Sequence, residues 1–188
     1  MRIIAGSFKG KKILEPKDIA TRPLKDLAKE SIFNIIKHSN KFKINLSSAN
    51  ILDLFSGVGS FGIECLSRGA RQVIFIENYF GVISILKKNL SNLDLKDRYE
   101  IIENDVYKDN TLLNLNKKFD IIFLDPPFKD MNLFNLLSKL INFKILSENG
   151  IIILHRHKNE KEILPKYFKV IEEKKYGISK IFFISDLN

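Results

Sequence analysis

From Ala49 onward, short runs of consecutive apolar residues alternate with helical patterns, and this alternation leaves few folds open to the chain. The runs are Ile51-Leu52-Asp53-Leu54-Phe55, Val73-Ile74-Phe75-Ile76, Tyr99-Glu100-Ile101-Ile102, Phe119 to Leu124, and Ile151 to Leu154. Helical patterns separate them at about Phe61–Ser67, Phe80–Leu90 and Leu133–Ile141. Strands that are apolar at every position are covered on both faces, and strands joined by helices run parallel. Two further strands, Phe168–Lys174 and Lys180–Ser185, turn near Gly177 and close one edge. Upstream, Arg2 to Pro16 reads as a small β-hairpin around Gly6 and Gly10. Thr21-Arg22-Pro23 then opens a helix that runs to about His38, with Pro23 in its first turn. The expectation is an α/β domain with a doubly wound, mostly parallel sheet (residues 44–188), preceded by a hairpin-and-helix extension (residues 1–43).

Composition narrows the setting. Of 188 residues, 45% are hydrophobic, enough for a full core. No run of about 18 apolar residues suggests a membrane span. The opening Met1-Arg2-Ile3-Ile4-Ala5-Gly6 lacks the pattern of a secretory leader. The single cysteine, Cys65, allows neither an intrachain disulfide nor a multi-cysteine metal site, and reads as buried packing. A cytoplasmic protein is expected. The net charge is +9, and residues 1–43 carry 11 Lys/Arg against 4 Asp/Glu. A basic arm on a nearly neutral body suits a polyanionic partner. Lys9, Lys11 and Lys12 are the candidate phosphate contacts, with a solvated surface as the plainer alternative.

Gly57-Val58-Gly59-Ser60-Phe61-Gly62 fits G-x-G-x-x-G between a strand and a helix, and Glu77 ends the next strand. Such a turn lets a nucleotide approach the backbone, and the acid can bind ribose hydroxyls. NAD and S-adenosylmethionine share the adenosine this geometry holds. Asp53, ending the first strand, favours the second. Its carboxylate suits the ammonium of a methionine moiety and would repel a pyrophosphate, which seeks bare N–H groups. Asn104-Asp105, ending the third strand, could bond an adenine amino group, although Asn-Asp is also common turn chemistry.

Asp125-Pro126-Pro127-Phe128 follows the fourth strand, whose carboxyl end borders the ligand crevice of such a sheet. The prolines stiffen the loop and remove two donors, leaving carbonyl acceptors. Asp125 adds a carboxylate and Phe128 a flat apolar face. This set matches the needs of a base amino group, a poor nucleophile whose lone pair is delocalised. Accepting both of its N–H bonds, by Asp125 and the Pro126 carbonyl, aims the nitrogen at a sulfonium methyl. Catalysis is then largely orientation and electrostatics.

These motifs together resemble the RsmD family, bacterial 16S rRNA guanine-N2 methyltransferases. The resemblance rests on Arg2-Ile3-Ile4-Ala5-Gly6 with Phe8-Lys9-Gly10, and on Thr21-Arg22-Pro23 with Asp26 and Glu30. It continues through Asp53-Leu54-Phe55-Ser56-Gly57, Ser67-Arg68-Gly69-Ala70, Phe123 to Phe128, and Tyr176-Gly177. It implies a class I, Rossmann-like methyltransferase fold, S-adenosylmethionine as donor without a metal, and a guanine N2 of small-subunit rRNA as acceptor. It places Asp53, Gly57, Gly59, Glu77 and Asp105 at the cofactor; Phe55 and Asn104 are further cofactor candidates. It puts Thr21 and Arg22 near the methionine end, and Asp125, Pro126, Pro127 and Phe128 at the base. The substrate would be 16S rRNA, free or in a small-subunit particle, and the enzyme a monomer. The chain departs from the family at Leu24, often Thr or Ser, at Lys29, usually Arg, and at His155, where an acid is common. An N6-adenine methyltransferase and an NAD-dependent oxidoreductase are the rival readings. His155 and His157 are expected to be solvated or RNA-facing side chains.

Overall fold

The computed structural model describes residues 1–16, 24–127, 130–160 and 163–187. The described residues form helices α1 (Asp26–His38), α2 (Ser60–Ser67), α3 (Phe80–Ser91), α4 (Asp109–Leu113) and α5 (Leu133–Asn142). The strands are β1 (Asn50–Leu54), β2 (Gln72–Ile76), β3 (Tyr99–Ile102), β4 (Phe119–Leu124), β5 (Leu146–His157), β6 (Phe168–Tyr176) and β7 (Ser179–Asp186). They make one sheet in the order β3-β2-β1-β4-β5-β7-β6. Strands β1 to β5 pair in parallel, while β7 is antiparallel to both β5 and β6.

Strand alternation sorts the apolar residues onto two faces. Ile51, Val73, Phe75, Ile121, Phe123, Ile151 and Ile153 meet α1, α2 and α3 on one side. Leu52, Leu54, Ile74, Ile76, Ile122, Leu124, Ile152 and Leu154 meet α4 and α5 on the other. The chain leaves β1 toward β2 on one side, and β4 lies on the other. The crevice between the carboxyl ends of β1 and β4 is therefore the switch point at which such sheets bind ligands.

Residues 1–16 reverse direction as a small hairpin with one antiparallel bridge, Arg2 to Lys12. Ile3 N–H donates to the Lys11 carbonyl, Gly10 N–H to the Ile3 carbonyl and Ile13 N–H to the Met1 carbonyl. Other backbone donors of the segment go to α2. Ile4 and Ala5 N–H groups donate to the Glu64 carboxylate at 2.8 and 2.9 Å. Ser7 N–H donates to the Ser67 carbonyl at 2.8 Å, and Phe8 N–H to the Ser67 hydroxyl. Gly6, at φ +83°, passes so close that a Cβ would lie 1.9 Å from the Ser67 carbonyl oxygen. Ile3 and Ile13 are buried in the same core as α1. The α1 helix starts at Asp26, and Thr21-Arg22-Pro23 lies outside the described residues. Two elements also differ from the sequence reading. Helix α4 was not expected, and β5 begins at Leu146 rather than Ile151.

Candidate active site

The glycine turn is held from below by two carboxylates. Gly62 N–H donates to Asp53 Oδ2 at 2.9 Å, and Gly57 N–H donates to Glu77 Oε2 at 2.7 Å. Glu77 Oε1 also accepts the N–H groups of Asn78 and Tyr79, so one side chain joins the turn to the entry of α3. Gly59 N–H bonds the Ser56 carbonyl. The turn needs its glycines. Gly59 has φ +83°, and a Cβ there would lie 2.5 Å from Leu86 Cδ1. Phe55, just before the turn, also takes a left-handed φ of 58°, which is costly for a bulky residue and is usually found at functional sites. Its ring lies 5.9 Å from that of Tyr107, whose hydroxyl donates to Asp130. Burial and Asp130 hold the Tyr107 phenol protonated far above the usual range.

Asp53 is 1% exposed. Its Oδ2 is used by Gly62, but its Oδ1 has no hydrogen-bond partner among the described residues. Burial pushes this carboxyl well above the ordinary aspartate value, and the charges of Asp125 and Glu77 push it further. Three carboxylates therefore share one crevice, and one buried oxygen lacks a donor. A cationic ligand group answers both conditions, so the residues present fit the ammonium of S-adenosylmethionine. Glu77 fits a ribose hydroxyl in a narrower sense. A carboxylate has about four acceptor positions, and three are filled by backbone N–H groups.

Asn104 and Asp105 form a turn at the end of β3. Asn104 Oδ1 accepts the Asp105 N–H, and Asp105 Oδ1 accepts the Tyr107 N–H. Across the crevice, Asp125 continues β4, and its N–H reaches the Leu54 carbonyl at 3.5 Å. Pro126 is buried and Pro127 exposed, and Phe128 lies outside the described residues. Lys9, Lys11 and Lys12 are all exposed. Lys9 sits beside the Gly6 turn at the Ser67 end of α2, about one helix length (roughly 12 Å) from the glycine turn at its Ser60 end.

Three groups were missed or misread from sequence. His155 is a correction: it is 5% exposed, not solvated, and its Nδ1 lies 2.7 Å from Asp125 Oδ1. Its neighbour Arg156, 2% exposed, donates from Nη1 to the Pro127 carbonyl at 2.9 Å. Asn89 in α3 donates to the Val58 carbonyl of the glycine turn and pairs with both backbone groups of Leu14. No periodicity marks any of them. The one available signal was that polar residues rarely stand at positions a buried strand or helix face requires to be covered.

Comparison with known proteins agrees with this architecture. The family model described as conserved hypothetical protein 95 matches residues 1–185. Ribosomal RNA small subunit methyltransferase D of Haemophilus influenzae is 33% identical over 183 residues, covering 95% of this chain and 90% of that protein. The protein of the same name from Buchnera aphidicola subsp. Baizongia pistaciae is 32% identical over 177 residues, covering 93% and 86%. Among solved structures, a candidate methylase from Haemophilus influenzae superposes with a TM-score of 0.76 at 32% identity, over 100% of this chain and 98% of that one. A candidate methyltransferase from Escherichia coli superposes with a TM-score of 0.81 at 26% identity, over 99% and 97%. The parallel sheet closed by an antiparallel β7, the glycine turn at its switch point and these matches lead to one conclusion: the chain has the class I methyltransferase fold and belongs to the conserved hypothetical protein 95 family, the RsmD family.

Proposed function

We propose that this protein transfers a methyl group from S-adenosylmethionine to the exocyclic N2 of a guanine in 16S rRNA. The observation that carries the reading is the place of Asp125. It stands at the end of β4, across the switch point from the glycine turn, and within electrostatic range of Asp53. A carboxylate there faces the site where a nucleotide-like cofactor binds. The names of the Haemophilus and Buchnera relatives direct the reading to small-subunit rRNA.

When bound, S-adenosylmethionine supplies an electrophilic methyl on a positively charged sulfur. The chain does the rest. Asp53 Oδ1 would receive the ammonium, and the glycine turn, Phe55, Glu77 and the Asn104-Asp105 turn would hold the adenosine. Thr21 and Arg22 are assigned to the methionine end. Asp125 and the Pro126 carbonyl accept the two N–H bonds of the base amine and turn its nitrogen toward the methyl. Phe128, outside the described residues, is assigned to stack on the ring and fix its plane. Held in this way, the amine nitrogen would take the methyl, and its surplus proton would pass to Asp125 or to water. A paired base is out of reach, so the guanine enters single-stranded or flipped.

The oxidoreductase reading loses ground on charge. A pyrophosphate prefers bare backbone N–H groups, whereas Asp53 and Glu77 brace this turn from Gly62 and Gly57 and put two carboxylates against it. The test is tritiated methyl transfer to rRNA from cells lacking the enzyme, followed by nucleoside analysis. N2-methylguanosine is expected, and Asp125→Ala should lose at least about a hundredfold in turnover. Label in N6-methyladenosine, or an Asp125→Ala variant as fast as the parent, would overturn the reading.

A further inference from the structure

Asp125 has two carboxylate oxygens, and accepting the base amine occupies one. Its side chain is 20% exposed, so the carboxylate is neither sealed in the core nor freely rotating in water. Parallel pairing of β4 with β5 puts Leu124 beside Leu154, and the next residues along are Asp125 and His155. His155 is set on β5, which runs on to His157 and is paired with β7 on its far side, His155 opposite Ile181. Its imidazole is therefore mounted on a strand paired with β7 at that position and with β4 one residue before, with Nδ1 2.7 Å from Asp125 Oδ1. Arg156 adds a second tie to the same loop at the Pro127 carbonyl.

We propose that His155 is a positioning residue for methyl transfer, a role that rests on the assignment of Asp125 as the amine acceptor. An ionised carboxylate only accepts, so Nδ1 carries the hydrogen and donates it to Oδ1. That bond selects one rotamer of Asp125 and turns Oδ2 toward the crevice, where the base amine needs an acceptor. Without it the carboxylate could take other rotamers, since its side chain is partly exposed. A misplacement of about 1 Å is enough to cost up to about a hundredfold in rate. His155 never touches the base or the cofactor, and it acts through Asp125 alone.

The experiment compares His155→Leu, His155→Asn, Asp125→Ala and the double variant His155→Leu/Asp125→Ala in methyl transfer to rRNA from cells lacking the enzyme. Binding of S-adenosylmethionine is followed by calorimetry. His155→Leu removes the donor, whereas His155→Asn keeps an N–H close to the Nδ1 position. The proposal expects kcat of His155→Leu to fall about tenfold or more, with KM for rRNA and cofactor affinity unchanged. It expects His155→Asn to recover most of the rate. The double variant should be no slower than Asp125→Ala, because both changes disable one device. A His155→Leu enzyme with parental kcat, or a His155→Asn enzyme as slow as His155→Leu, overturns the proposal while leaving the role of Asp125 intact. An Asp125→Ala enzyme with parental kcat overturns both.

Discussion

Lys29 Nζ lies 3.9 Å from Glu64 Oε2, and both side chains are fully buried. The pair joins α1 to α2 at the point where the N-terminal segment docks. Lys29 also donates to the Arg2 carbonyl at 2.9 Å, and Glu64 accepts from Ile4, Ala5 and Arg68. Burial lowers the Lys29 pKa while Glu64 and Asp26 raise it back. Removing Glu64 leaves Lys29 with Asp26, at 3.7 Å, as its carboxylate partner. Glu64→Ala is expected to destabilise the fold by about 2–4 kcal/mol, because the buried ammonium loses one of two carboxylates and two orphaned N–H groups remain. Urea unfolding checks this, and a loss near zero would show that water reaches Lys29.

Gly6→Ala tests the same docking from the backbone. The substitution asks for a strained φ and a Cβ inside the Ser67 carbonyl. The expected loss exceeds about 1 kcal/mol, read as a lower melting temperature. Gly10 has a similar φ of +85° but open space around it, so Gly10→Ala should cost distinctly less.

Asp53 gives a pH signature. Its folded-state proton affinity is raised, so its contribution to stability is fully present below the unfolded value of 3.8 and is lost as pH rises through the folded value. Asp53→Asn keeps an acceptor for the Gly62 N–H and carries no charge. Relative to the parent, Asp53→Asn should therefore gain in melting temperature as pH rises from about 4 toward neutrality. Affinity for S-adenosylmethionine should fall in the same variant. A constant difference across that window would remove the argument.

Arg156→Met removes the donor to the Pro127 carbonyl and leaves the Asp125–His155 contact untouched. Turnover should drop by about tenfold or more as the loop loosens. Cofactor affinity, set on the β1 and β2 side, should hold. Equal losses in both would mean that the substitution disturbs the whole crevice.

The basic arm makes a separate prediction. Ile3 and Ile13 belong to the core, so truncating the segment would unfold more than it tests. Charge reversal at the exposed Lys9, Lys11 and Lys12 avoids that problem. The triple Glu variant should bind rRNA more weakly and show a flatter dependence on salt, with an unchanged melting temperature. Unchanged affinity at low salt would assign these lysines to a solvated face.

The class of the fold was legible because parallel strands bury both faces and must be apolar throughout, as Ile121 to Leu124 and Ile151 to Leu154 are. The glycine turn and Asp125-Pro126-Pro127 were legible for a similar reason: each is a contiguous stretch whose backbone behaviour follows from its own residues. Helix α4 was not, because five residues, Asp109–Leu113, carry too little apolar period to register.

Tertiary structure alone decided what the charged residues do. Taken singly, Lys29, Glu64, His155 and Arg156 belong on the surface, since an isolated charge is expelled from an apolar interior. Each is buried because a partner distant in the chain meets it: Glu64 for Lys29, Asp125 for His155, Pro127 for Arg156. Periodicity reports which face a residue occupies but not what stands opposite, and the opposing group turns a forbidden burial into a designed one. The sequence thus determined the sheet and the ligand crevice, and the packing of remote segments decided which side chains hold that crevice in shape.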